Sequence, residues 1–527
     1  MSNQFTDVIY NNIPRNSFNL SHSKKFSMNM GQLVPFLTQE VVPGDSFRMS
    51  QEQMVRMAPM VAPVMDKVTV DTHFFFVPNR LLWAGWEEFI TNPTDPLNPA
   101  PFVKPYNFAD PITIQTGSIM DYLGYPTGAV PQTAKLNALP LAAYNRIYNE
   151  YYRDQNLQNS SSDIKAEELT DGNNNLTNDA FFKMGQAKPY RRAWGKDYFT
   201  SALPFPQKGN PVTLGLGGTA PILFTPDNPI PTGETDRYKK TGLTNPVDGA
   251  ASFLTGSLKD SAGNIISVDN SKNLSADLTA ATAVTINDLR TATKLQEWLE
   301  INARSGTRYI ESIKAHYGVT SRDARLQRPE FLGGGSSNIA FSEVLQQSAS
   351  DEVTPQGNMS GHGINVGNSR TINYRAEEHG FIIGIISVKP VTSYMNITPK
   401  WALRLDPLDY LFPLFAQLGE QPVYNCEVKG DYAAADREEI FGYQSKYAEY
   451  KNTPSTVHGD FKGNLDFWHM ARKFETDPIL NAEFVKSNPD PRIFAVTEEQ
   501  TDKLYVMLYN NIQAVRPLPR YNIPQLG

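Results

Sequence analysis

Apolar and polar positions alternate with period two in several segments of the chain, and each such segment predicts a β-strand with one face in a core. In the clearest case Val68, Val70, Thr72, Phe74 and Phe76 alternate with Thr69, Asp71, His73 and Phe75, predicting a half-buried strand that ends at Pro78. Phe381 to Val388 is nearly all apolar and reads as a strand buried on both faces, and Leu504 to Val515 as a further late strand. Residues 1 to 65 read as an extended arm and first strands, divided by turn signals at Asn11-Asn12-Ile13-Pro14, Gly31 and Pro43-Gly44-Asp45. Met49, Met54, Met57, Met60 and Met65 in this segment suit either adaptable packing against other surfaces or ordinary core. Helical spacing appears elsewhere. Leu81 to Ile90 predicts a short helix capped by Asn79, and Pro140 opens one that carries Leu141, Tyr144, Tyr148, Tyr151 and Tyr152 through Gln155. A Thr285…Asp288 capping pattern starts another through Leu289, Leu295, Trp298 and Leu299, closed by Ser305-Gly306, and a shorter one runs to Gly318.

Between these elements the composition shifts twice. Residues 156 to 178 are polar and asparagine-rich, predicting a surface loop. Residues 209 to 284 mix Gly, Pro, Thr, Ser, Asp and Asn with brief apolar pieces at Ala220 to Thr225, Ala251 to Leu258 and Asn264 to Val268, predicting a small β-rich insertion. The expected organisation is therefore 1–208, an arm and the first part of a β domain; 209–284, the insertion; and 285–527, helices, the remaining strands and a C-terminal arm. Many short strands joined by long proline-bearing connections make the fold class mainly β, a sandwich or jelly roll.

Composition narrows the classes. With 38 prolines in 527 residues, about 7% against a usual 5%, long ordered loops are expected. A net charge of −7 argues against a surface built wholly to neutralise nucleic-acid phosphates, so any such contact is local. The single cysteine, Cys426, excludes an intrachain disulfide and leaves stability to packing and assembly. No run approaches a membrane span, and the start lacks the plan of a signal peptide, so cytoplasmic synthesis without membrane insertion is expected.

Catalytic signatures are absent: there is no Walker sequence, HExxH or GxSxG. Gly215 to Gly218 and Gly333 to Gly335 lack the Lys-Ser/Thr ending of a phosphate loop and read as turns or close backbone approaches. The histidines show no ligand spacing, so neither metal nor cofactor is expected. Glu87-Glu88, Glu377-Glu378 and Glu438-Glu439 are adjacent pairs whose side chains diverge on helix or strand, which suits solvated surface better than a catalytic dyad. Lys188 to Trp194 interleaves basic and aromatic residues, a mixture that holds single-stranded nucleic acid or pairs and stacks within a protein.

Several longer motifs carry a resemblance. They are Thr38 to Asp45, His73 to Arg80 with Trp83 and Trp86, Tyr144 to Glu150 leading into Arg153 to Asn156, and Asp197 to Gln207. Gly306 to Tyr309, Asp323 to Glu330 with Leu332 to Gly334, Glu378 to Gly380 and Pro517 to Tyr521 follow in order. Together they resemble the major capsid proteins of the Microviridae across nearly the whole chain, and the insertion at 209–284 is similar to that of the gokushovirus branch. The resemblance implies a structural, non-enzymatic protein with an eight-stranded antiparallel jelly roll. It also implies pentamers assembling into a T=1 icosahedral shell around a circular single-stranded DNA genome, in a virion made in a bacterial cytoplasm. Implied partners are a small basic DNA-packaging protein, a scaffolding protein during assembly and a host cell-surface receptor. A β-sandwich carbohydrate-active enzyme or binding module is the alternative that aromatic-rich loops alone would allow; particle size separates the two.

Three expectations follow from position and charge. Residues 1–65 and 485–527 are expected to be ordered mainly by neighbouring subunits. Residues 1–30 carry Arg15, Lys24 and Lys25 against Asp7, opposite in sign to the whole chain, so these three, with Arg516 and Arg520, are the candidate DNA contacts. Within the insertion, expected as a three-fold protrusion, Thr219, Asp227, Thr235, Asp260, Asn264 and Asn270 are the candidate host contacts.

Overall fold

The computed structural model describes residues 14–83, 85–91, 112–130, 136–158, 185–212, 222–224, 258–259, 265–266, 274–276, 286–347, 359–433, 435–498 and 500–521. The chain forms two compact units, Met1–Lys208 with Glu300–Gly527, and Gly209–Leu299.

The first unit is built on two antiparallel sheets of eleven strands: β1 Asn16–Asn19, β2 His22–Met28, β3 Val34–Val41, β4 Ser46–Met57, β5 Val68–Pro78, β6 Glu330–Asn338, β7 Ala340–Leu345, β8 Met359–Asn368, β9 Ile372–Arg375, β10 Gly380–Pro390 and β11 Leu504–Arg516. The larger sheet has the order β1-β11-β4-β8-β7, with β2 also on β11 and β9 also on β4; the smaller is β6-β5-β10-β3. Their facing sides share one core. Phe47, Met49, Val55, Leu504, Val506 and Leu508 of the larger sheet pack with Val34, Phe36, Val70, Phe74, Ile382 and Ile386 of the smaller. The mainly β reading and the sandwich hold.

Strand β4 and strand β11 alternate strictly between buried and open positions, because only one side of their sheet meets the core. The smaller sheet is covered on both sides. Its second face, with Phe75, Val77, Ile383 and Ile385, packs under helix α2 Ile119–Leu123 and helix α3 Leu139–Ile147. This cover explains the unbroken apolar run of β10, buried on both faces as expected. It also corrects the reading of β5, which is buried along both faces instead of half-buried.

Pro140 lies in the first turn of α3, which continues as a π-helical turn, Tyr148–Tyr152. Tyr144 is fully buried and donates from its hydroxyl to the Leu33 carbonyl at 2.8 Å, fixing the helix to the start of β3. The expected helix from Leu81 is shorter. A 3₁₀ turn, Asn79–Leu81, precedes helix α1, Trp86–Thr91, and the Asn79 carbonyl accepts from the Leu82 and Trp83 amides in place of a side-chain cap. Gly85, over which the Trp83 ring packs closely, interrupts what periodicity alone made continuous. Helix α4 Ile286–Ser305 and helix α5 Tyr309–Tyr317 follow the predicted bounds, the latter ending on left-handed Gly318. Among the described residues no helix is long and apolar enough to cross a membrane.

In the second unit Ile222–Phe224 pairs with Leu274–Ala276, and Leu258–Lys259 with Ile265–Ile266. Beyond residue 158, the loop expected at 156–178 lies outside the described residues.

The chain ends need a correction. Far from waiting for neighbours, β1, β2, β4 and β11 form the middle and one flank of their own larger sheet, and Asn16 Nδ2 donates to the Leu518 carbonyl at 2.8 Å. Period-two alternation over 13 residues supplies enough buried surface for an internal strand. The methionines divide accordingly: Met49, Met57 and Met60 are core, while Met54 and Met65 are exposed. Leu508→Ala, at the centre of β11, should therefore cost about 2–5 kcal/mol in urea unfolding of unassembled chain. Met507→Ala on the open face should stay within roughly 0.5 kcal/mol.

Candidate functional site

Most of the long sequence motifs converge on the outer surface of α3 and its π turn. Arg80 Nε and Nη2 bind both oxygens of Glu378 at 2.6 and 3.1 Å, a bidentate pair joining the end of β5 to the turn before β10. Arg308 donates to the carbonyls of Asn149 and Arg153, and Arg328 stacks 4.3 Å over Tyr151 while pairing with Asp323. Lys196 reaches Asp154 at 2.6 Å, and Asp197 accepts from the Tyr394 hydroxyl at 2.9 Å. Most of these contacts tie together segments far apart in sequence.

A cavity of about 740 Å³ lies beside this cluster, with His73, Tyr152, Arg192 and Lys389 on its wall. Arg192 pairs with Asp71 at 2.6 Å and donates to the Ser387 hydroxyl at 2.9 Å. Burial pushes the Asp71 carboxyl up, but the Ser336 hydroxyl, Arg192 and Lys389 outweigh it and hold it below the ordinary carboxylate range. Burial, and then Arg192, push the His73 imidazole down to about 4 from 6.5. His73 is therefore neutral at pH 7, its Nδ1 2.7 Å from the Tyr152 hydroxyl. The segment Lys188 to Trp194 is also structural. Tyr190 stacks on Tyr144 and Tyr148, Arg191 donates to the carbonyls of Met30 and Ser487, and Trp194 is buried under Arg472. Gly334 marks a close approach, since a methyl group there would lie 2.1 Å from the Thr72 carbonyl oxygen. Among the described residues no group of three or more His, Cys, Asp or Glu is placed to hold a metal.

The charge candidates separate into two kinds. Lys24 points to the core side of β2, where its Nζ donates to the carbonyls of Pro35 and Tyr122, and burial pushes it down to about 8. Arg516 donates to the Glu40 carbonyl at 2.8 Å and pairs with buried Asp45 at 3.4 Å. Both are committed inside the chain. Arg15, Lys25 and Arg520 are open to solvent, Arg520 lying 6.0 Å over the Tyr521 ring. Thr219, Asp227, Thr235, Asp260, Asn264 and Asn270 lie outside the described residues.

The reading of single residues overlooked a whole face. On the open side of the larger sheet Tyr505, Met507 and Tyr509 of β11 stand beside Arg56, Met54 and Glu52 of β4. Lys25 of β2 and Val366 of β8 extend the Met507–Met54 row on either side, and Arg48 stands opposite Gln513. Alternation in β4 and β11 carries the signal: every second residue is open, and among these Arg48, Arg56, Tyr505, Tyr509, Met54 and Met507 stand with polar Glu52, Asn511 and Gln513 and with Val515.

Arginines committed to internal ties and broad open faces on a rigid sandwich define a structural protein that works through its surfaces. Over residues 6–526 the chain matches the family described as Capsid protein (F protein). It is 37% identical to capsid protein VP1 of Chlamydia phage 1, covering 100% of this chain and 98% of that one. It is 38% identical to capsid protein VP1 of Bdellovibrio phage phiMH2K, covering 97% and 95%, and 34% identical to that of Spiroplasma virus 4, covering 98% and 96%. The chain belongs to this phage capsid family, in agreement with the Microviridae likeness of its motifs, and is a structural component of the virion and not an enzyme.

The His73 environment has a consequence for stability. Its pKa is lower folded than unfolded, so its contribution is fully present above about pH 6.5 and is lost as pH falls toward 4. Thermal unfolding of unassembled chain should show a loss of about 1–3 kcal/mol over that window. His73→Gln should remove this component of the pH dependence.

Proposed function

We propose that the chain builds a T=1 icosahedral shell, through pentamers, around a circular single-stranded DNA genome. The fold we infer is an eight-stranded jelly roll. Strands β1 and β2 lie end to end along β11, and β8 and β9 along β4. Taking each couple as one interrupted strand, and β7 as a hairpin addition at the edge, leaves four strands against four, which supports this reading.

The observation that carries the genome contact is the open face of the larger sheet. Tyr505 and Tyr509 offer ring faces for bases, while Lys25, Arg48 and Arg56 offer cations for phosphates, with Glu52 the opposing charge. Arg15 and Arg520 remain as further candidates. With net charge −7, three to five such contacts neutralise little of a genome, which supports a separate small basic packaging protein. A scaffolding protein is the other assembly partner we infer, from the family resemblance. Arg48→Glu with Arg56→Glu should leave unassembled chain folded but lower the DNA retained in purified particles. For the unassembled chain binding an oligonucleotide, the salt slope should fall by about 0.7 per lost contact. Particles with normal DNA content and slope would remove this face from the genome interface.

The Gly209–Leu299 unit, in which short strands pair with each other, supports an insertion that projects at the three-fold axes and contacts a host receptor. Replacement of residues 215–280 by a short Gly/Ser linker should give particles that assemble but no longer adsorb to host cells. Failure to assemble would favour a spacer between subunits, and normal adsorption would remove the receptor role.

A further inference from the structure

The strands Asn16–Asn19, His22–Met28 and Leu504–Arg516 pair within their own sheet, and a surface that joins copies stands out elsewhere. Residues 400–418 form three 3₁₀ turns, Lys400–Leu403, Pro407–Asp409 and Pro413–Phe415, and their connections, in which Trp401, Leu405, Leu408, Phe412, Leu414 and Leu418 all face solvent. Leu405 is 93% exposed and Leu414 84%, near the limit for a side chain that touches nothing. At roughly 100 Å² each, these side chains and their exposed neighbours Tyr410 and Leu411 present about 800 Å², one partner's share of a standard interface. The largest apolar patch on an ordinary monomer is about 300–600 Å².

The ridge is held rigidly. Asp409 accepts from the Leu405 and Asp406 amides at 2.9 Å, capping the turn Pro407–Asp409. Arg404 pairs with Glu449 at 2.8 Å and packs 4.5 Å over Tyr450, whose hydroxyl accepts from the Leu411 amide at 3.3 Å. Tyr447 adopts φ of 62°, a strained left-handed conformation for an aromatic residue, and its hydroxyl accepts from the Phe412 amide and donates to the Tyr410 carbonyl. Strain and hydrogen bonds thus hold apolar side chains out in water, where cover by a partner is favourable.

We propose that the ridge Trp401–Leu418 is a contact by which one copy of this chain docks on a second copy. The occupant follows from three observations. The ridge is pre-formed and of standard interface size, as an interface between folded partners requires. Its cation, Arg404, is turned inward onto Glu449, and the charges left open are the carboxylates Asp406 and Asp409, so it offers no cation to phosphate. The chain belongs to a capsid family, in which copies of one chain meet repeatedly. The proposal rests on that shell-forming role and adds the segment that performs it.

The test uses the full chain. Leu405→Asp with Leu414→Asp should keep the thermal unfolding midpoint of the parent, because neither side chain is packed, yet sediment as unassembled subunits, with particle yield lower by about tenfold or more. Leu405→Met with Leu414→Met should assemble. Particles from the aspartate variant at parental yield would overturn the proposal. Should that variant misfold, Leu414→Cys particles decide, since Cys426 is buried and gives little background. Maleimide should modify position 414 at least about tenfold more slowly in particles than in released subunits, and equal rates would overturn the proposal. Capture of parental subunits by phosphatidylcholine vesicles, lost in an aspartate variant that still assembles, would assign the ridge to a lipid surface and overturn it. Failure of the parental chain itself to form particles would instead remove the shell reading.

Discussion

Antiparallel pairing of β4 with β11, from Met57 opposite Leu504 to Ser46 opposite Val515, joins the two ends of the chain in the middle of the larger sheet. Every other strand of that sheet hangs on this pair: β1 and β2 on β11, β8 and β9 on β4, and β7 through β8. The register sets function as well as stability. A slip of one residue would bring Tyr505, Met507 and Tyr509 into the core and turn Leu504, Val506 and Leu508 to solvent. Packing against the smaller sheet thus fixes which side chains form the open face.

The second layer of order lies behind the smaller sheet, where α2 and α3 bury its other face and leave a rim of backbone carbonyls to be satisfied. Arginines do this elsewhere too: Arg308 and Arg191 direct guanidinium donors at carbonyls of segments distant in sequence, and Arg472 donates to the Phe484 carbonyl while lying 4.0 to 5.7 Å from the Phe484, Trp194 and Tyr394 ring centroids. A chain with few basic residues to spare has placed many of them indoors, which leaves its open cations few and localised.

How much of this was legible in sequence depended on whether a signal was periodic or conformational. The strands β5, β10 and β11 and the helices α4 and α5 were read with nearly their observed bounds, because one-sided burial marks every second residue of β11 or every third to fourth of a helix, and two-sided burial leaves the unbroken apolar run of β10. The role of the chain ends was not legible, since alternation shows that a strand exists and is silent about which strand it joins. Lys24 and Arg516 looked like free cations because formal charge carries no information about direction; their neighbours Lys25 and Val515 point the other way by the same pleat. The Trp401–Leu418 ridge was missed for the opposite reason: an apolar residue in a proline-bearing loop reads as local core, and exposure appears only once the loop has a conformation.

The bond from Asn16 to Leu518 spans 502 positions, and β11 is the last long strand to be made. At about 5–20 residues per second, β1, β2 and β4 wait roughly 25–100 s for the partner that completes their sheet. During that time their edges are unpaired, and the core between the sheets lacks Leu504, Val506, Leu508 and Ile512. A chain cut short anywhere before β11 never closes. Closure of the larger sheet therefore depends on synthesis as far as Arg516, so the scaffold forms only after translation has passed that residue.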